Sequence, residues 1–148
     1  MKVLVAVDDS GFADYIVDFV IARRWTADAE FLILHVVPSL FPLSVPVPPN
    51  LISQLNKDLN ESAQNLVESV AAELRSAGRK VSTAVREGKP TRQILALAAS
   101  DGCDVIVVGA HSRTGIEKFM LGSVSMAVAS AASCSVLVVR HPSAGEKI

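Results

Sequence analysis

Short apolar runs alternate along the chain with longer stretches whose apolar residues recur every three or four positions. Lys2 to Asp8 is a Val-rich run closed by carboxylates, the pattern of a strand buried on both faces. Ser10 then offers an N-cap, and Phe12, Ile16, Phe19 and Val20 keep helical spacing as far as Trp25. Glu30 to Val37 is a second apolar run, interrupted only by His35. Five of the seven prolines fall between Pro38 and Pro49, which excludes a helix or central strand there. Leu51, Leu55, Leu59, Ala63, Leu66, Val70 and Leu74 step by three or four and predict the clearest helix, with Gly78 as its stop. Lys80 to Arg86 alternates like a strand, Gly88 turns the chain, and Pro90 opens a helix carrying Ile94, Leu97 and Ala98. Gly102 ends that helix. Asp104 to Gly109 is another buried strand, 110–121 a polar loop, Gly122 to Ala132 a short helix, and Ser135 to Arg140 a last Val/Leu strand.

This alternation predicts an α/β fold: one open, five-stranded parallel sheet with helices on both faces, Rossmann-like in plan. Ligands of such sheets bind outside the carboxyl ends of the strands, which places Asp8, Val36, Pro38 and Gly109 on the functional edge. A length of 148 residues suits a single domain over 1–148. Half the residues are hydrophobic and only 5% aromatic, so the core is expected to be Val, Leu, Ile and Ala, and disorder is excluded.

Charge narrows the function further. Lys+Arg number 14 against 15 Asp+Glu, without blocks of one sign, so neither nucleic acid nor an anionic membrane is an expected partner. The opening residues meet Asp8 and Asp9 before an apolar leader could form, and no stretch approaches the roughly 18 apolar residues of a membrane span. A soluble, cytoplasmic protein is expected. Cys103 and Cys134 make neither a disulfide framework nor a zinc site and read as small buried residues. The three histidines sit on different elements without metal-ligand spacing, so no metal site is expected. His35 reads as a satisfied core or edge histidine, and the single tryptophan, Trp25, as a packing residue. Neither a dinucleotide fingerprint after the first strand nor a P-loop is present, because Gly88-Lys89 runs into Pro90. A receiver domain would need a phosphoacceptor carboxylate closing the third strand, and Lys80 to Arg86 supplies none.

The most informative stretch runs from Gly109 to Ser125, leaving a buried strand and entering a helix through Gly122-Ser123. A helix start with unpaired N–H groups and a glycine approach suits an anion, and Ser123, Arg113 and Lys118 could add to it. His111 lies in the same loop and is a candidate nucleotide contact. Turn-making glycines and a capping serine are the plainer account of the same residues.

Gly109, two residues, Ser112, nine residues, then Gly122-Ser123 resemble the G-x2-G-x9-G-(S/T) signature of the universal stress protein family, with one glycine replaced. Val3 to Asp8, His35-Val36, Gly88-Lys89-Pro90 and Ser135 to Arg140 resemble that family's landmarks in the same order, so the likeness spans nearly the whole chain. The resemblance implies strand order 3-2-1-4-5, an adenine nucleotide hydrolase-like fold, and ATP or a related adenine nucleotide, with or without magnesium. It implies that Asp8, beside Ala6 and Val7, contacts ribose, and that Val36 holds adenine through its backbone. Val108 and Gly109 would lie under the ribose, while the loop from Ser112 with Gly122, Ser123, Val124 and Ser125 would cradle phosphates. The physics agrees, since a carboxylate accepts from ribose hydroxyls and backbone N–H groups suit phosphoryl oxygens. Serine at 112 costs on the order of 1 kcal/mol if that position needs positive φ.

Three functions follow. The first is a nucleotide-binding stress-response or signalling protein without catalytic residues, capable at most of slow ATP hydrolysis. The second is a dimeric interaction module that has lost the nucleotide through Ser112. The third is a weak nucleotide hydrolase, for which fold alone is little warrant. The apolar residues within Pro38–Pro49 suit a lid, a subunit contact or a fold-back over the core. The final strand lies at the sheet edge and, as in the family, implies a homodimer through 135–140, with a further protein partner unidentified.

Overall fold

The computed structural model describes residues 1–39, 46–110 and 121–140. Its elements are β1 (Lys2–Ala6), α1 (Ala13–Ala22), β2 (Glu30–Val37), α2 (Pro49–Ser76), β3 (Lys80–Glu87), α3 (Pro90–Ser100), β4 (Val105–Gly109), α4 (Ser123–Ala131) and β5 (Ser135–Val139). The sheet has the order β3-β2-β1-β4-β5 with every pairing parallel, the expected architecture.

Alternate residues of each strand feed two separate cores. Val3, Val5, Phe31, Ile33 and Val107 pack with the buried faces of α1 and α2. Leu4, Leu32, Leu34, Ile106 and Val108 pack with α3 and α4 on the other face. Covering both faces requires continuous apolar strands, which is why the runs in the sequence are unbroken. Each such side chain contributes about 1.5–3 kcal/mol by leaving water.

Several boundaries differ from the sequence expectation. Strand β1 closes at Ala6 rather than at Asp8. Ser10 does not cap α1: its N–H donates to Asp8 Oδ1 at 3.1 Å and its hydroxyl donates to the same oxygen. This is an Asx-turn, in which the acid captures the serine before the helix can. Helix α1 therefore starts at Ala13 and ends at Ala22, short of Trp25. The Trp25 indole instead donates to the Val20 carbonyl at 2.8 Å, and its ring meets Phe31 edge-on at 5.4 Å. Of the two cysteines Cys103 is buried but Cys134 only half-buried.

Helix α2 begins at Pro49, where proline suits a first turn, and runs for 28 residues. At ~1.5 Å per residue it is about 42 Å long, against about 26 Å for an eight-residue strand. Its second half buries Ala63, Val67, Val70, Ala71 and Leu74. Its first half overhangs the carboxyl edge of the sheet and leaves Leu51, Leu55 and Leu59 36–47% exposed. Among the described residues no helix is long and apolar enough to cross a membrane.

Candidate functional site

A cleft of about 540 Å³ opens at the carboxyl edge, where the chain leaves β1 toward one side of the sheet and β4 toward the other. Ala6, Val7 and Asp8 line its centre, Val36 one flank, and Val108, Gly109, Gly122, Val124 and Ser125 the opposite flank. Ser123 is the first residue of α4, next to that flank. His111 and Ser112 lie outside the described residues, so the expected roles of both fall there too.

Asp8 is half-buried and its Oδ1 is taken by Ser10, while Oδ2 has no hydrogen bond among the described residues. One oxygen thus holds the turn, and Asp8 as a residue lines the cleft. The parallel ladder decides what Val36 offers. Leu34 accepts from the Val7 N–H at 2.9 Å, so Leu34 directs its backbone toward β1, and Val37 accepts from Gly88 on the β3 side. Backbone groups of successive residues alternate between neighbours, so Val36 also points toward β1. Pairing with β1 has already ended at Ala6↔Leu34, leaving a donor and an acceptor side by side at the cleft.

On the opposite flank the loop ends are clamped, because Gly122 donates to the Ala110 carbonyl at 2.7 Å. Gly122 is the N-cap of α4, and the first intrahelical partner of its carbonyl is the Met126 N–H at 2.9 Å. The N–H groups of Ser123, Val124 and Ser125 therefore have no intrahelical acceptor and carry the positive end of the helix dipole. The Ser125 side chain is turned inward: it is 2% exposed and its hydroxyl donates to the Gly122 carbonyl at 2.9 Å. The Ser125 hydroxyl is thus committed to the loop–helix junction.

Gly109 has a different reason from the one its sequence position suggests. A Cβ there would lie 2.9 Å from Phe12 Cδ1 and 3.2 Å from Cε1. Glycine lets the Phe12 ring close against β4, on the α1 side of the sheet.

The wall on the α2 side was not foreseen. Phe12, His35, Leu59, Ala63 and Leu66 also line the cleft. The His35 Nδ1 lies 2.8 Å from the Val7 carbonyl. A carbonyl can only accept, so Nδ1 carries a proton and Nε2 is an acceptor when the ring is neutral. The one polar residue inside the apolar run that follows Glu30 was the available signal. The apolar wall had none, since its spacing matches ordinary core positions. Among the described residues no three His, Cys, Asp or Glu side chains gather as a metal site requires.

Comparison with known proteins agrees with this architecture. The chain is 30% identical over 145 residues to universal stress protein YxiE of Bacillus subtilis, covering 94% of this chain and 98% of that protein. The solved structure of MJ0577 of Methanocaldococcus jannaschii matches with a TM-score of 0.82 at 30% identity, covering 96% of each chain. A universal stress protein family member of Arabidopsis thaliana, solved with AMP bound, shares the fold at a TM-score of 0.70 and 21% identity, over 95% of this chain and 92% of that one. Residues 1–140 match the Universal stress protein family as a whole. By these matches the chain belongs to the universal stress protein family.

Proposed function

We propose that this chain, acting as one domain, binds ATP or a related adenine nucleotide in the carboxyl-edge cleft as a reversible signalling ligand. The observation that carries the reading is the convergence of unpaired main-chain groups on one cavity. Val36 offers an adjacent donor and acceptor to an adenine edge, Asp8 Oδ2 accepts from ribose hydroxyls, and the first turn of α4 faces phosphates. Ala6, Val7 and Val108 form the floor. His111 and Ser112 belong to the phosphate loop in this reading. Magnesium would travel with the phosphates. The AMP-bound Arabidopsis relative supports the ligand class.

No nucleophile or base is assigned, so hydrolysis is slow at most and the nucleotide acts by biasing conformation or partner choice in the cytoplasm. The protein pairs with a second copy through β5. The exposed leucines on the overhang of α2 favour a second reading, a protein-contact module independent of nucleotide.

Calorimetric titration with ATP, ADP and AMP, with and without magnesium, tests the first reading. Micromolar binding that Asp8→Asn weakens at least tenfold is expected, a loss of about 1.4 kcal/mol. No heat of binding up to millimolar nucleotide overturns it and leaves the contact module.

A further inference from the structure

The two cysteines of the chain stand just before the starts of two neighbouring strands, β4 and β5, on the amino edge of the sheet and away from the cleft. Cys103 follows α3 through Gly102, whose φ of +62° turns the chain, and its N–H donates to the Ala98 carbonyl at 2.9 Å. Cys134 follows α4, and the next residue, Ser135, donates to the Asp104 carbonyl at 3.2 Å. The register Val105↔Ser135 sets the two cysteines one residue out of step on neighbouring parallel chains. Parallel neighbours lie ~4.8 Å apart and one step along the chain is ~3.8 Å, so the ladder holds the two cysteine α-carbons within about 9 Å, a span that contains the disulfide range. Disulfides span α-carbon distances of roughly 4.4–6.8 Å.

Both side chains also enter the same layer. Cys103 belongs to the core that includes Leu97, Ala98 and Ile106, and Cys134 packs against that core with Val136. Burial, then the Asp101 carboxylate, pushes the Cys103 thiol up, which leaves Cys134 as the thiol that meets an oxidant first.

We propose that Cys103 and Cys134 form a reversible dithiol–disulfide pair, a modification site for hydrogen peroxide or an organic peroxide. Cys134, the half-exposed member, is attacked first. Its thiolate sulfur bonds to one peroxide oxygen as the O–O bond breaks, giving a sulfenic acid, and the departing oxygen leaves as water or an alcohol after protonation. The Cys103 sulfur then displaces the sulfenic hydroxyl. The S–S bond forms, the S–OH bond breaks, and the thiol proton leaves with that hydroxyl as water. Both sulfurs are oxidised by one electron each, and the peroxide takes up both electrons. The bond ties the α3–β4 corner to the α4–β5 corner and so closes a loop that contains the 110–121 segment and α4.

The test uses the full wild-type chain treated with one equivalent of hydrogen peroxide, then denatured without reductant and alkylated. The expected result is a monomer lighter by about 2 Da with no alkylated cysteine, a single linked peptide joining 103 to 134, and full reversal by dithiothreitol. In Cys103→Ser the same treatment should stop at a sulfenic acid on Cys134, trapped by dimedone added before denaturation, and in Cys134→Ser the Cys103 thiol should stay intact. Two alkylatable thiols after oxidation, a sulfinic acid at Cys134 of the wild type, or a linkage between two chains would each overturn the proposal.

Discussion

A methyl group at position 109 would press on the Phe12 ring at 2.9 Å, with Ile16 Cδ1 behind it at 3.7 Å. The ring is also stacked on Tyr15 at 5.6 Å, so moving it disturbs a second contact. Gly109→Ala should therefore destabilise the fold by about 1–3 kcal/mol, the usual cost of overpacking. Urea unfolding measures it, and Phe12→Leu in the Gly109→Ala background should recover most of the loss. A simple additive loss in the double variant would count against this contact. A second residue-scale expectation concerns acid. Asp28 is held down at about 2, first by the Thr26 hydroxyl and then by the Met1 ammonium, 2.9 Å away. The folded value lies below the unfolded 3.8, so this contribution is present above that pH and fades as pH falls toward 2. Thr26→Val should raise the Asp28 midpoint in an NMR titration. An unchanged midpoint would remove the hydroxyl from the account.

At the scale of elements, periodicity marked α2 correctly but could not say which of its apolar positions are covered. Leu51, Leu55 and Leu59 continue the same stripe as Leu74, yet Leu74 is fully buried and they stand 36–47% exposed. What separates them is the length of the helix relative to the strand it packs on, and that ratio exists only once the sheet is assembled. Leu55→Gln should change stability by no more than about 0.5 kcal/mol, whereas Leu74→Ala should cost about 2–5 kcal/mol. Chemical denaturation of both variants checks the contrast, and equal losses would mean that the overhang is covered. The three central strands were readable because parallel strands buried on both faces must be unbroken apolar runs, whereas the strand order came from the family resemblance. The position of Asp8, Val36 and Gly122 along the cleft was readable too, since it follows directly from strand ends and a helix start. The start of α1 was not, because Ser10 has two suitors and Asp8 is nearer than the helix. Nor was the wall formed by Phe12, Leu59 and Leu66, whose apolar side chains look in sequence like any other core residue.

The molecule as a whole separates its candidate surfaces by edge: the cleft lies at the carboxyl ends of the strands, the cysteine pair at the amino ends, and β5 along one side. The ladder tells which groups of β5 are available for pairing. Ser135 donates to Asp104 and Val139 accepts from Ala110, so the odd residues of β5 turn their backbone toward β4. By the alternation of a parallel strand, Val136 and Val138 turn theirs outward. Their side chains meanwhile pack against the α3–α4 core, so the strand is held in place from its own chain. Val138→Pro removes an outward N–H without touching the β4 ladder, and proline is tolerated on an edge strand for that reason. If two copies pair through β5, this variant should be monomeric by light scattering at concentrations where the wild type is dimeric. Its circular dichroism should remain that of the wild type, because every hydrogen bond of the five-stranded sheet is retained. A Val138→Pro protein that is folded and still dimeric would exclude β5 as the contact.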